Sequence, residues 1–139
     1  MKIMAIDYGD AHTGVAVSDR TLTLCGYSTV VTAYRPEAVI ETLQKLIAEH
    51  EVTALVLGHP INMDGTRGPR AEKAEAFAEQ LRAATGLPVT LWDERRTTVD
   101  AHNILAANGK RAKERKKNVD AVAASLMLEG FLTYKKKNG

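Results

Sequence analysis

The sequence predicts an α/β fold: a mixed five-stranded sheet, order 3-2-1-4-5 with strand 2 antiparallel, and helices on both faces. Three observations predict it. The chain opens on three β-like segments joined by short connections, which is the pattern of an antiparallel meander. Apolar residues then switch to helical spacing, and helices alternate with short apolar runs. Finally, a strand that follows a helix returns parallel to an earlier strand through a right-handed crossover. A meander on one side of the first strand and crossover strands on the other gives that order.

The elements follow in turn. Lys2–Ile6 and Gly14–Ser18 read as strands on either side of a Gly-bounded turn, and a third strand lies within Leu24–Thr32. Pro36 suits the first turn of a helix, with Val39, Ile40, Leu43, Leu46 and Ile47 on one face. Ala54-Leu55-Val56-Leu57-Gly58 is a continuous apolar run, as expected of a strand covered on both faces. A Gly/Pro/Asn/Asp-rich loop from Gly58 to Pro69 leads to a helix over Ala71–Thr85. That helix turns Ala74, Phe77, Ala78 and Leu81 inward and ends at Gly86. Val89–Trp92 is the fifth strand. Thr97 opens a third helix with Asp100 three residues on, a weak capping box, and Val119, Val122, Ala123, Leu126 and Gly130 mark a fourth.

The chain has 139 residues, 45% hydrophobic and 26% charged, so residues 1–139 are expected to form one globular domain. A lone cysteine, Cys25, excludes an internal disulfide and a cysteine-based zinc cluster. No apolar run reaches the roughly 20 residues of a membrane span. The segment Met1–Asp7 is too short and too soon charged for a signal peptide, so a cytoplasmic protein is expected. Charge is unevenly spread. Residues 109–139 hold nine basic and three acidic side chains, whereas residues 1–108 hold ten basic and fourteen acidic. A tail this basic suits a polyanion. Its densest part is Lys110, Arg111, Lys113, Arg115, Lys116 and Lys117, interrupted by Glu114. That much self-repulsion predicts a loop that orders on nucleic acid.

With this strand order, chain direction switches sides between strands one and four, where ligands bind beyond the carboxyl ends of strands. Asp7 ends strand one, Gly58-His59-Pro60 ends strand four, and Asp93-Glu94 ends strand five. Asp120 stands at the head of an apolar helix. Each acid alone has a plain structural use, as a turn cap or a first-turn helix charge. Together they would repel unless a cation joined them. All-oxygen ligands suit magnesium or manganese, and two such ions about 3.5–4 Å apart can hydrolyse a phosphodiester. Alternation places Asp93 and Glu94 on opposite faces. The longer Glu94 spans better the roughly 10 Å from strand one to strand five, and Gly58 leaves the space between them open. His12 and His59 read as solvent-exposed turn histidines that could orient phosphate. Arg95 and Arg96 could contact phosphate, and Asp64 in the Asn62–Thr66 turn is a further ligand candidate.

Four segments, taken in order, resemble one family. They are Asp7-Tyr8-Gly9 with Gly14–Asp19; Gly58–Thr66 with Gly68–Ala71; Asp93-Glu94-Arg95-Arg96-Thr97-Thr98; and Val119–Ala124. The family is the bacterial YqgF/RuvX type, described as pre-16S ribosomal RNA nucleases and Holliday-junction-resolvase-like proteins. The resemblance implies a ribonuclease-H-like fold, divalent-metal phosphodiester hydrolysis, a cytoplasmic location and a role in ribosomal RNA 5′-end maturation. It implies Asp7, Glu94 and Asp120 as catalytic acids and ligands of Mg2+ or Mn2+. His12 departs from it, standing where the family commonly has arginine, and Thr13 stands where an apolar residue is usual.

The reading is therefore a metal-dependent endonuclease for structured precursor ribosomal RNA, as a monomer or weak homodimer. Branched-DNA resolution shares every feature. An actin-like sugar kinase also opens on an acid-bearing strand and a Gly turn, but needs a second lobe that 139 residues cannot hold. A non-catalytic RNA-binding assembly factor would keep the basic segment without needing three converging acids.

Overall fold

The computed structural model describes residues 2–22, 25–62, 64–93 and 112–138, with side chains of the last segment from 122 to 135. The strands are β1 (Lys2–Asp7), β2 (His12–Ser18), β3 (Cys25–Thr32), β4 (Val52–His59) and β5 (Val89–Asp93). The helices are α1 (Pro36–His50), α2 (Pro69–Thr85) and α3 (Ala112–Asn138). The sheet order is β3-β2-β1-β4-β5, as the sequence predicts. β2 is antiparallel to β1 and to β3, while β4 is parallel to β1 and to β5.

Alternation along each strand divides the core in two. Met4, Ile6, Val15, Val17, Leu55 and Leu57 point to one face, where α1 and α2 bring Val39, Leu43, Phe77 and Leu81. Ile3, Ala5, Ala16, Val56 and Trp92 point to the other, against Ala124, Met127, Leu128 and Leu132 of α3. β1 and β4 are buried on both sides because they are central, which is why their sequences are unbroken apolar runs. Prolines at the starts of α1 and α2 preset the helical φ. Gly86 ends α2 at φ +70, a left-handed position that costs glycine little.

Several limits are wider than the sequence suggests, including β4, which spans Val52–His59, and β5, which ends at Asp93. β1 includes Asp7, β2 starts at His12, and α2 starts at Pro69. The helix expected from Thr97 falls outside the described residues. The loop expected over Lys110–Lys117 is a correction: from Ala112 onward this stretch is the first part of α3. Ala, Lys, Arg and Glu are strong helix formers, and that propensity outweighs the like-charge repulsion on which the loop expectation rested. The fourth expected helix is thus the rest of α3. Its signalling residues Val122, Ala123, Leu126 and Gly130 are half-buried, and the fully buried stripe is Ala124, Met127, Leu128 and Leu132.

Candidate active site

The carboxyl ends of β1, β4 and β5 lie on one edge of the sheet, and this edge has two faces of different character. On the α3 face stands Asp7. Its Cα partner across β2 is Gly14, and on β4 the residue that continues this face beyond Val56 is Gly58, paired with Trp92. Asp7 thus sits between two strand positions that carry no side chain of their own. Among the described residues the half-buried Asp7 carboxylate has no hydrogen-bond or ion-pair partner. His12 lies on this same face, one step beyond Gly14, as the first residue of β2 rather than in a turn. It is exposed, and its Nδ1 lies 3.4 Å from Thr32 Oγ1 on β3. Thr13, turned the opposite way, is fully buried, and its Oγ1 accepts the Gly9 N–H at 3.5 Å, closing the β1–β2 connection.

On the α1/α2 face the acids Asp10 and Glu75, beside the strand ends, are paired by the protein itself. Asp10 pairs with Lys73 at 2.5 Å, and this ammonium holds the Asp10 carboxyl below its ordinary range. Lys73 also lies 5.8 Å from the centre of the Tyr8 ring, which stacks on Phe77 at 3.9 Å. His59, expected as a solvent-exposed turn histidine, is a correction. It is the last residue of β4, only 14% exposed, and its Nε2 lies 2.6 Å from Glu75 Oε2. Arg67 grips the same carboxylate, Nε donating to Oε2 at 2.7 Å and Nη2 to Oε1. The Arg67 guanidinium, then His59, holds Glu75 below the ordinary carboxylate range. This pins the loop after β4 onto α2. Asp64 does turn work in that loop: its Oδ1 accepts Thr66 N–H at 3.0 Å and Thr66 Oγ1–H at 2.6 Å, bonds that lower its pKa.

The remaining expected residues divide clearly. Asp93 ends β5 opposite His59, on the α1/α2 face and so on the opposite face from Asp7. Glu94, Arg95, Arg96, Lys110 and Arg111 fall outside the described residues. Lys113, Arg115, Lys116, Lys117 and Asp120 belong to the α3 backbone. Among the described residues no three His, Cys, Asp or Glu side chains converge as a metal cluster. None of the helices with described residues is long and apolar enough to cross a membrane. Sequence reasoning missed Arg67, Lys73 and Glu75. Their partners lie 8 to 63 positions away, and no local spacing links them.

A meander followed by two parallel crossover strands, with an acid at the switch-point end of the central strand, has the topology of the ribonuclease-H-like class. Solved structures agree on the fold. Thermus thermophilus RuvC in complex with a Holliday junction substrate superposes with a TM-score of 0.66 at 15% identity, covering 100% of this chain and 98% of that one. A ROK hexokinase from the same organism reaches 0.50 at 23% identity, over 73% of this chain but only 38% of the kinase. The chain belongs to the RuvX family, described as Holliday junction resolvase, whose model matches residues 1–134. A Desulfitobacterium hafniense relative named "Putative pre-16S rRNA nuclease" is 46% identical, covering 100% of this chain and 97% of the relative. One of the same name from Halothermothrix orenii is 42% identical, covering 99% and 98%.

Proposed function

We propose that this chain is a cytoplasmic, single-domain endonuclease that hydrolyses phosphodiester bonds, acting in 5′-end maturation of pre-16S ribosomal RNA as a monomer or weak homodimer. The observation that carries it is the Asp7 carboxylate, without a partner among the described residues, on a strand edge where Asp10 and Glu75 are held in ion pairs. A half-buried acid with no cation beside it among the described residues suits a bound one.

Asp7, Glu94 and Asp120 are the oxygen donors that would hold Mg2+ or Mn2+. Three observations support this set. Asp93 lies on the wrong face to join Asp7, which favours its neighbour Glu94. The positions beside Asp7 on both neighbouring strands are glycines, which add no side chain of their own to that face. Asp120 falls four positions before Ala124 and eight before Leu128, on the helical stripe that packs against the Asp7 face. The ions, when bound, supply charge neutralisation and an activated water. The chain's own residues position the substrate: Arg95, Lys110, Arg111, Lys113, Arg115, Lys116 and Lys117 hold phosphates flanking the scissile bond, and His12 adds a titratable donor on the Asp7 face.

Branched-DNA resolution is the second reading, favoured by the family description and by the RuvC fold. Cleavage of precursor 16S RNA and of a four-way DNA junction, each with and without Mn2+, separates the two. RNA cleavage that needs Mn2+ and falls at least 100-fold in Asp7→Asn is expected. Undiminished cleavage by folded Asp7→Asn would overturn the assignment, and binding of RNA without cleavage of either substrate would make the chain an assembly factor.

A further inference from the structure

We propose that Tyr34 and Arg35 form a fixed nucleobase platform beside the catalytic edge, taking an unpaired base of the substrate strand within a few nucleotides of the scissile bond. This rests on the nuclease reading above and assigns that site a substrate feature: a single-stranded segment next to the cut.

Three tyrosines are exposed among the described residues, and two of them lie against other rings. Tyr27 packs on His50 at 4.4 Å and Tyr134 lies 5.5 Å from Trp92. Tyr34 is 79% exposed and has no ring, hydrogen-bond or ion-pair partner among the described residues. Its ring face is therefore open to a stacking partner from outside the chain.

Its backbone is nevertheless held on both sides. Ala33 N–H donates to Ala11 O at 3.0 Å, tying the β3–α1 connection to the β1–β2 connection, and Ala33 packs on the core. On the other side, the Arg35 carbonyl accepts from Ala38 N–H at 3.0 Å and Val39 N–H at 3.1 Å, the first bonds of α1. Pro36 further restricts Arg35 to extended backbone, seen at φ −106 and ψ 134. The Arg35 side chain does no capping and is exposed, with no carboxylate partner among the described residues. A free ring and a free guanidinium on anchored backbone lose little entropy on binding.

The placement points to nucleic acid. β3 ends at Thr32, which pairs with His12 on β2, and β2 pairs with β1 beside Asp7. Asp7 is level with Gly14 and Val30, so the His12–Thr32 pair lies two residues further toward the edge and Tyr34-Arg35 beyond it, on a diagonal across three adjacent strands. The offset is two strand spacings across the sheet, roughly 10 Å, and up to four residues along it, roughly 13 Å, a span of a few nucleotides. On the far side of the turn the groove between α1 and α2 carries Glu37 and Glu41, which repel phosphate and leave the line toward His12 as the favourable path. Stacking on tyrosine with an arginine on the adjacent phosphate is a common mode for single strands.

The test is binding of a single-stranded RNA carrying 2-aminopurine at successive positions, without divalent metal, together with steady-state cleavage. Tyr34→Ala is expected to weaken binding about tenfold and abolish fluorescence quenching at one position, leaving the salt slope unchanged. Tyr34→Phe should restore both. Arg35→Ala should weaken binding and lower the salt slope by about 0.7. In cleavage the Tyr34→Ala loss should fall on KM. Equal affinity and quenching in folded Tyr34→Ala, while wild type binds and cleaves, would overturn the platform alone. A wild type that neither binds nor cleaves RNA would overturn both it and the nuclease reading.

Discussion

The two faces of the carboxyl edge handle acid side chains in opposite ways. On the α2 face, Asp10 is closed by Lys73, and Glu75 by Arg67 and His59. On the α3 face, Asp7 has no described partner and glycine positions on either side. Both faces share one strand edge and one level of the sheet, so exposure alone does not explain the contrast. Closed pairs hold a loop to a helix. An acid without a partner among the described residues is the one proposed to hold a metal ion.

The sharpest way to break that comparison is to add a side chain beside Asp7. Gly58→Val should crowd the face between Asp7 and β5 and weaken Mn2+ binding at least tenfold, read by calorimetric titration in protein whose circular dichroism is unchanged. An unaltered titration would mean that the bare glycine position serves no ligand.

A smaller effect is expected from the basic start of α3. Replacing Lys113, Arg115, Lys116 and Lys117 by Ala should flatten the salt dependence of RNA binding by up to about three units of slope, at roughly 0.7 per phosphate contact. Metal titration should not change. An unchanged slope would reduce this charge to a solvated helix face.

The smallest effect belongs to the closed face. Glu75 is held below its ordinary value of 4.5. Its contribution to stability is therefore complete above that value and is lost as pH falls through the lowered one. Melting temperature should drop less between pH 7 and pH 3 in Glu75→Gln than in wild type, by a few degrees at most for an exposed pair. Identical drops would show that the tether to His59 and Arg67 adds nothing.

The fold was legible because its signals are local. The Ala54–Gly58 run, the 39-40-43-46-47 spacing and the Pro and Gly punctuation each act within a few residues, and the crossover rule supplies the strand order. Asp7 was legible for the same reason: an acid at the end of an apolar strand stands out. What depends on distant pairing was not. His59 reads as a turn residue until Glu75 and Arg67 come to it from α2 and the loop. Tyr34 carries no sequence signal of its own; only the pairing of β3 with β2 brings it to the edge near His12. The basic stretch misled because charge density and helix propensity oppose each other there, and sequence alone does not rank them.

The measurement that bears most directly on Asp7 is Mn2+ titration of three folded proteins: wild type, Asp7→Asn and Asp10→Asn. Asp10 is the matched control, an acid three residues away already neutralised by Lys73. Wild type and Asp10→Asn are expected to bind Mn2+ alike, and Asp7→Asn to bind at least tenfold more weakly. Equal binding by Asp7→Asn, or an equal loss in Asp10→Asn, would contradict the assignment of Asp7 as the open, metal-holding acid of this edge.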